Sequence, residues 1–179
     1  AESLAPVLEK AARTLQAHLD RSNFMVEIHQ CFLDLIVGGT ACLFIEPGMP
    51  GDFSTLRFTA VPLSAIMLEE GIDGRLDAGF RTLKLTLGQI RTRYAGVDLP
   101  PDMIKTGTQD PQLRFECIEG IIPDNAGFRM IAMLPDGDRL LKNIRLTDSP
   151  MVAFRWMKSP GEMYGRSPVM KALPDIKTA

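Results

Sequence analysis

Trp156-Met-Lys-Ser-Pro-Gly-Glu-Met-Tyr164-Gly165-Arg166-Ser167-Pro168-Val-Met-Lys-Ala-Leu173-Pro-Asp-Ile-Lys-Thr-Ala179 is the stretch around which the rest of the sequence is organised. Ser167 can accept a backbone N–H as a helix N-cap, and Pro168 suits the first helical position, where its missing donor costs nothing. Apolar residues then follow at helical spacing. The stretch therefore predicts a turn that leads into a helix. Because no stop signal follows, we expect this helix to be the start of a longer one.

Two amphipathic helices are predicted at the other end of the chain. The first carries its apolar residues, from Leu4 to Leu19, on one face. The second is capped by Ser22 or Asn23 and ends at Gly38-Gly39. Its predicted core positions are Phe24, Ile28, Phe32, Leu35 and Ile36. We expect the two helices to form a hairpin.

The middle of the chain has the pattern of β-strands separated by turns. The predicted strands are 40–46, 56–61, 66–70, 76–86, 113–122, 127–134, 140–146 and 151–156. Gly71-Ile-Asp-Gly74 and Pro135-Asp-Gly-Asp138 are hairpin turns. Thr86 caps a short helix, and Val97 to Pro111 is predicted to be a loop. The predicted fold class is α+β, with an N-terminal helical hairpin packed on a mainly antiparallel β-sheet region, ending in the start of a further helix.

The length, composition and net charge of the sequence are those of an ordinary soluble globular protein. The 179 residues are 45% hydrophobic and 23% charged, and the net charge is −2. A small negative charge argues against a free-standing nucleic-acid binder, which usually has a basic surplus. No apolar run approaches the ~18 residues of a membrane span, and no signal peptide is visible.

The sequence offers little material for catalysis or metal binding. Cys31, Cys42 and Cys117 lie far apart in apolar runs and are predicted to be buried free thiols. His18 and His29 have no carboxylate or cysteine at metal-ligand spacing. We therefore predict no metal, no cofactor and no catalytic residue.

Three further groups have a structural interpretation that we favour over a functional one. Glu69-Glu70 with Asp73 are turn residues rather than a cation site. Gly38-Gly39-Thr40 runs from helix to strand, the reverse of a phosphate loop. The basic stretch is a solvated helix face rather than a nucleic-acid contact; it consists of Arg91, Arg93, Tyr94 and Lys105.

The methionines fall into two groups. Four lie inside apolar strands and are predicted to fill the core: Met67, Met130, Met133 and Met151. Met157 and Met163 flank the Pro/Gly turn beside Trp156 and Tyr164. Packing of this turn onto the sheet is the simpler interpretation. A subunit contact is the alternative, because methionine and aromatic residues are enriched at interfaces.

The C-terminal stretch also resembles a known family. Arg155-Trp156, Gly161-Glu162-x-Tyr164-Gly165-Arg166-x-Pro168 and Ala172-Leu173-Pro-Asp-Ile-Lys177 are similar to the corresponding segment of head-to-tail connecting proteins, the portal proteins of short-tailed, T7-like bacteriophages. The order of elements upstream, including Gly38 to Glu46, is similar as well, so the resemblance covers nearly the whole chain. Ser167 stands where family members more often have a smaller residue.

The resemblance implies a non-enzymatic, structural role. Portal proteins form a ring, usually a dodecamer, around a channel through which double-stranded DNA is packaged and ejected. Residues 1–163 would be the wing domain, and 164–179 the turn and the start of a truncated stem helix. The implied motif at the wing-to-stem junction is Trp156, Tyr164, Gly165, Pro168 and Leu173.

The same resemblance implies partners and a location. The partners would be other portal subunits, the capsid or scaffold, the packaging terminase, tail adaptor proteins and the DNA in the channel, with no membrane. The protein would be assembled in the bacterial host cytoplasm, from a phage or prophage genome, and end at the portal vertex of the virion. Two alternatives remain: a small α+β domain that binds a ligand or catalyses a reaction, and a general protein-interaction module.

Overall fold

The computed structural model of the protein describes residues 4–48, 51, 54–125, 127–137 and 139–178. The helices in these residues are α1 (Ala5–Arg21), α2 (Phe24–Gly38), α3 (Leu87–Arg93), α4 (Pro101–Gln109) and α5 (Pro168–Thr178). The strands are β1 (Thr40–Pro47), β2 (Leu56–Ala60), β3 (Ile66–Glu70), β4 (Leu76–Thr86), β5 (Arg114–Asp124), β6 (Gly127–Met133), β7 (Leu140–Leu146) and β8 (Met151–Arg155). All paired strands are antiparallel, which confirms the predicted α+β class.

The chain divides into two compact units, and each unit has its own sheet. The first unit comprises residues 1–63 and 150–179, and the second comprises residues 64–149. The sheet of the first unit has the order β2-β1-β8, and the sheet of the second has the order β3-β4-β5-β6-β7.

The first unit is built around the central strand β1. Thr40 pairs with Arg155 of β8, and Leu43 pairs with Ala60 of β2. Helix α2 covers one face of this sheet, and the buried residues between them are Cys31, Leu35, Ala41, Leu43 and Phe58. Because β8 follows β1 by more than a hundred residues, this sheet depends on a long-range strand pairing that local patterns do not reveal.

Asn23 connects the start of α2 to the sheet instead of capping the helix. Its side-chain Nδ2 donates to the Phe58 carbonyl oxygen at 2.7 Å, and its Oδ1 accepts from the Phe58 N–H at 2.9 Å. The Ser22 hydroxyl accepts from the Phe24 N–H at 3.1 Å. The Asn23 side chain therefore satisfies both backbone groups of one residue on the edge strand β2.

The second unit has a five-stranded meander with α3 and α4 packed against it. Thr86 forms a capping box with Gln89 at the start of α3, as its position at the end of a strand predicted. The buried residues of this core are Leu87, Ile90, Tyr94, Leu99, Met103, Cys117, Ala132 and Leu141. At the β3–β4 turn, the Asp73 carboxylate accepts from the Arg75 N–H, so this acidic residue acts as a turn former.

Several sequence-based predictions were wrong in detail. The loop predicted from Val97 to Pro111 contains helix α4, because Pro101 occupies the first helical turn, where a proline is tolerated. Phe32 and Ile36, predicted for the core, are 50% and 42% exposed. Met67 is 70% exposed because it lies on the outward face of β3. For these three side chains, the local pattern did not reveal which face of the helix or sheet is buried.

Candidate assembly site at the turn before the last helix

The turn before α5 is closed by backbone hydrogen bonds at both ends. The Trp156 N–H donates to the Gly39 carbonyl oxygen at 2.9 Å, which continues the β1–β8 pairing by one residue. The Arg166 N–H donates back to the Met157 carbonyl oxygen at 2.9 Å. Between them Gly161 has a φ of +78°, a conformation that favours glycine. The segment from 157 to 166 is therefore a closed loop.

Gly39 and Gly165 bring two backbone segments into direct contact. A Cβ atom on Gly39 would lie 2.2 Å from the Gly165 carbonyl oxygen, and a Cβ on Gly165 would lie 2.2 Å from the Gly39 carbonyl oxygen. Gly39 also has a φ of +76° as the left-handed C-cap of α2. Only residues without a side chain allow this approach.

Thr40 fixes the same contact through a buried hydrogen bond. Its hydroxyl oxygen accepts from the Gly165 N–H at 2.7 Å, and its side chain is fully buried. The sequence predicted a helix stop at Gly38-Gly39 and a strand start at Thr40. The contact with Gly165 was not predicted, since Thr40 and Gly165 are 125 residues apart.

Ser167 and Pro168 start α5 as predicted. The Ser167 hydroxyl accepts from the Met170 N–H at 2.9 Å, and Pro168 is the first residue of the helix. Ser167 is fully buried. The N-cap hydroxyl therefore has a defined partner, and the helix direction is set by the residues that contact Gly39 and Thr40.

Two arginines hold the outer part of the turn. Arg155 Nη1 donates to the Met163 carbonyl oxygen at 2.9 Å. Arg166 binds the Glu162 carboxylate through Nε at 2.9 Å and Nη2 at 2.6 Å. The hydrogen bond from Arg166 lowers the pKa of Glu162, and the same bond raises the pKa of Arg166. This pair lies at the surface, where its contribution to stability is small.

The five predicted motif residues divide into two roles. Gly165 is buried and Pro168 begins α5, so both shape the backbone. Trp156, Tyr164 and Leu173 are 55%, 38% and 43% exposed. These three side chains therefore present apolar and aromatic surface to their surroundings.

An open groove runs along the turn and the first residues of α5. It has a volume of about 730 Å³, and its lining residues are Glu162, Met163, Tyr164, Gly165, Arg166, Met170, Lys171 and Pro174. Methionine, tyrosine and arginine, which are enriched at protein interfaces, account for four of these lining residues.

A buried ionic cluster lies in the second unit, and sequence analysis missed it. Glu119 is 1% exposed and Arg81 2% exposed. Arg81 donates to Glu119 Oε2 from Nε at 2.9 Å and Nη2 at 2.7 Å. Arg93 donates to Oε1 from Nε at 2.7 Å and to Oε2 from Nη2 at 3.1 Å, and the Tyr94 hydroxyl donates to Oε1. Arg93 and Tyr94 thus belong to a buried cluster and not to the solvated face predicted for them.

The cluster keeps Glu119 ionised. Burial by itself would raise the pKa of Glu119, but the hydrogen bond and charge of Arg93, the charge of Arg81 and the Tyr94 hydroxyl lower it to about 2. Burial and the neighbouring Glu119 raise the pKa of Tyr94. Both carboxylate oxygens accept bonds from protein donors, so Glu119 is suited to holding the sheet and α3 together rather than to proton transfer.

The cysteines and histidines have the positions expected of structural residues. Cys31, Cys42 and Cys117 are buried free thiols, and burial raises the pKa of Cys31 and of Cys117 to about 11. His29 is exposed, and His18 Nδ1 lies 3.4 Å from the Thr55 hydroxyl. Within the described ranges, no group of three or more His, Cys, Asp or Glu residues could hold a metal ion.

Comparison with known proteins identifies the class of protein that this fold and surface belong to. The family model for the bacteriophage head to tail connecting protein matches residues 1–179. No curated protein matches the sequence in a direct comparison. The chain therefore belongs to the family of bacteriophage head to tail connecting proteins, as the resemblance of its C-terminal stretch predicted.

Family membership defines the role in general terms. The protein is a structural component of the phage particle that connects head and tail, and it interacts with other head and tail components. A structural family of this kind indicates a non-enzymatic function. In the part of the chain that the structure describes, no helix is long and apolar enough to cross a lipid bilayer.

Proposed function

We propose that this chain is part of a subunit of the phage portal, the ring through which DNA is packaged into the head and later ejected. In this proposal residues 1–163 are the wing and residues 164–179 are the turn and the start of the stem helix. The observation that carries the proposal is the built junction at Gly39, Thr40 and Gly165, from which α5 begins at a fixed position on an α+β body. The T7-like, short-tailed group is the subfamily that the motif resembles.

The junction supports a ring for a physical reason. Neighbouring subunits in a closed ring meet at a fixed angle, so a helix that continues from the body needs a rigid connection to it. The glycine contact and the buried Thr40 hydrogen bond supply that rigidity. The half-exposed Trp156, Tyr164 and Leu173 then supply apolar surface for a neighbouring subunit.

The proposed partners follow from the ring. The first partner is further copies of the same chain, since portals usually have twelve subunits. The others are the capsid or scaffold, the packaging terminase, the tail adaptor and the double-stranded DNA in the channel. Assembly would take place in the host cytoplasm, and the genome of origin would be a phage or a prophage. The acidic balance of −2 is compatible with a channel that must not hold DNA phosphates tightly.

A label on the β3–β4 turn tests the proposal. Ile72 at this turn is fully exposed, so a small tag inserted there should leave the fold intact. Electron microscopy of the tagged complete protein is expected to reveal closed rings with extra density at the outer rim. The absence of rings at any concentration would overturn the portal function. Rings with the extra density on the central axis would overturn the wing assignment alone.

A further inference from the structure

Helix α1 has an apolar stripe that is exposed in the part of the chain that the structure describes. The stripe consists of Leu4, Val7, Leu8, Ala11 and Leu15, and its four large side chains are 57% to 66% exposed. No residue of α1 is buried, and Leu19 near its end is the position that packs against the core of the first unit. A helix in a protein is stabilised mainly by packing of its apolar face, so this stripe requires a partner.

Helix α2 has a second apolar surface on the side away from its sheet, and among the described residues this surface is about half exposed or more. This α2 outer face consists of Met25, Val26, Phe32, Leu33, Ile36 and Val37, which are 42% to 73% exposed. The opposite side of α2 buries Cys31 and Leu35, so the helix is apolar on two sides. A helix of this kind is typical of the interior of a larger structure.

We infer that the α1 stripe of one copy packs on the α2 outer face of the next copy. This inference rests on the proposed ring function and names the surfaces that join its subunits. A contact between two different surfaces is heterologous, and repetition of such a contact generates a ring when the rotation closes. Pairing of like surfaces, α1 with α1, would generate a closed dimer instead.

The exposed area is sufficient for such a contact. At these exposures the α1 stripe presents roughly 500 Å² and the α2 outer face roughly 700 Å², so their contact can bury at most about 1,200 Å², the lower end of stable interfaces. The largest apolar patch on a typical monomeric protein covers about 300–600 Å². Each of the two surfaces is at least that large. One contact is weak at this size, and closure of a ring adds to its stability.

The charges of the two helices favour pairing of unlike surfaces. Between Ala5 and Arg21, α1 has three basic residues and two acidic ones, whereas α2 has two acidic residues, Glu27 and Asp34, and no lysine or arginine. Attraction between a positive and a negative helix favours α1 against α2 over either helix against its own copy.

Cross-linking between two differently sized versions of the chain tests the contact directly. One version carries Leu15→Cys on α1, and the other carries Leu33→Cys on α2 together with a mass tag. The natural cysteines are buried, so a short bismaleimide applied to the wild-type mixture is the control. The expected product is the mixed dimer, and it should form only when both versions are present.

Charge substitutions provide a second measurement with a matched control. Leu15→Lys and Leu33→Lys are each expected to weaken self-association by about tenfold or more, because each puts a charge in the middle of an apolar contact. Gln16→Lys lies on α1 outside the stripe and should leave association unchanged. Sedimentation measures the association, and circular dichroism verifies that all three variants are folded.

The outcomes separate this inference from the ring itself. A Leu15→Cys dimer with itself, or a monomer that yields no mixed product, would overturn the α1–α2 contact. If the complete protein still forms rings in that case, the portal function stands without it. If the mixed product forms but the complete protein assembles only into open filaments, the contact stands and the ring fails.

Discussion

Gly39 and Gly165 touch through their backbones, and each occupies the space that a side chain on the other would need. The two residues lie at the end of α2 and just before α5, so their contact joins these two helices where β1 begins and β8 ends. Thr40 adds its hydroxyl to the Gly165 N–H at 2.7 Å. This contact is the element of the fold that positions the last helix.

Gly39→Ala is expected to destabilise the protein by several kcal/mol, because the methyl group meets backbone atoms that cannot move aside and the positive φ adds strain. Gly161→Ala is the matched control: it has the same φ region, but nothing lies within 4 Å of its Cβ position. The control substitution should lower the free energy of unfolding by only about 1 kcal/mol. Urea unfolding measures the stability of both variants, and equal losses of stability would contradict the close contact of Gly39 with Gly165.

Thr40→Val is expected to lower the free energy of unfolding by about 1–3 kcal/mol. Valine has nearly the same shape as threonine but no hydroxyl, so the buried Gly165 N–H loses its acceptor. Thr40→Ser retains the hydroxyl and should lose less. Amide hydrogen exchange at Gly165 offers a local measurement. Protection that is unchanged in Thr40→Val would show that the hydrogen bond does not hold the turn.

Glu119→Gln is expected to destabilise the second unit by about 3–5 kcal/mol, since it leaves Arg81 and Arg93 without their buried countercharge. Glu116→Gln on the same strand is the control. Its pair with Lys84 is exposed, at 3.5 Å, and its loss should cost less than about 1 kcal/mol. Thermal or urea unfolding monitored by a probe in the second unit distinguishes the two variants.

The stability of the wild-type protein should also depend on Glu119 at acid pH. The pKa of Glu119 is lowered from its ordinary value of 4.5 to about 2 in the folded state. Its contribution is therefore fully present above about pH 4.5, falls as the pH drops towards 2, and amounts to about 3 kcal/mol. The Glu119→Gln variant should therefore lose less stability than the wild type when the pH is lowered. If the stability of both proteins depended on pH in the same way, Glu119 would not be the source of this effect.

Trp156→Ala is expected to weaken assembly without unfolding the chain, because the side chain is 55% exposed and aromatic residues contribute strongly to interfaces. Ile72→Ala, at an exposed turn in the second unit, is the control and should not change assembly. Analytical ultracentrifugation of the complete protein measures the effect. A loss of thermal stability in Trp156→Ala without any change in assembly would assign this residue to packing of the turn.

Local signals in the sequence predicted the elements whose physics is local. The glycines at 38 and 39 end a helix, the Thr86 capping box starts one, and Ser167 with Pro168 starts another. The helix after Pro100 was missed because three prolines and several polar residues between Val97 and Pro111 suggested a loop, although a proline in the first turn does not prevent a helix.

Features that depend on distant pairing could not be predicted in this way. The pairing of β8 with β1 and the contact of Gly165 with Gly39 both join residues more than a hundred positions apart. The Glu119 cluster draws on residues of β4, β5 and α3. The basic residues near Tyr94 therefore suggested a solvated face, because their buried carboxylate partner lies elsewhere in the sequence.

We propose that this chain is part of a portal ring, and the molar mass of the complete protein in solution distinguishes a ring from a single subunit. Light scattering coupled to size exclusion should give one large species with the mass of a closed ring, close to a dodecamer. A mass equal to one subunit at every concentration and ionic strength would contradict the claim, and the search for a ligand site in the α+β units would then take precedence.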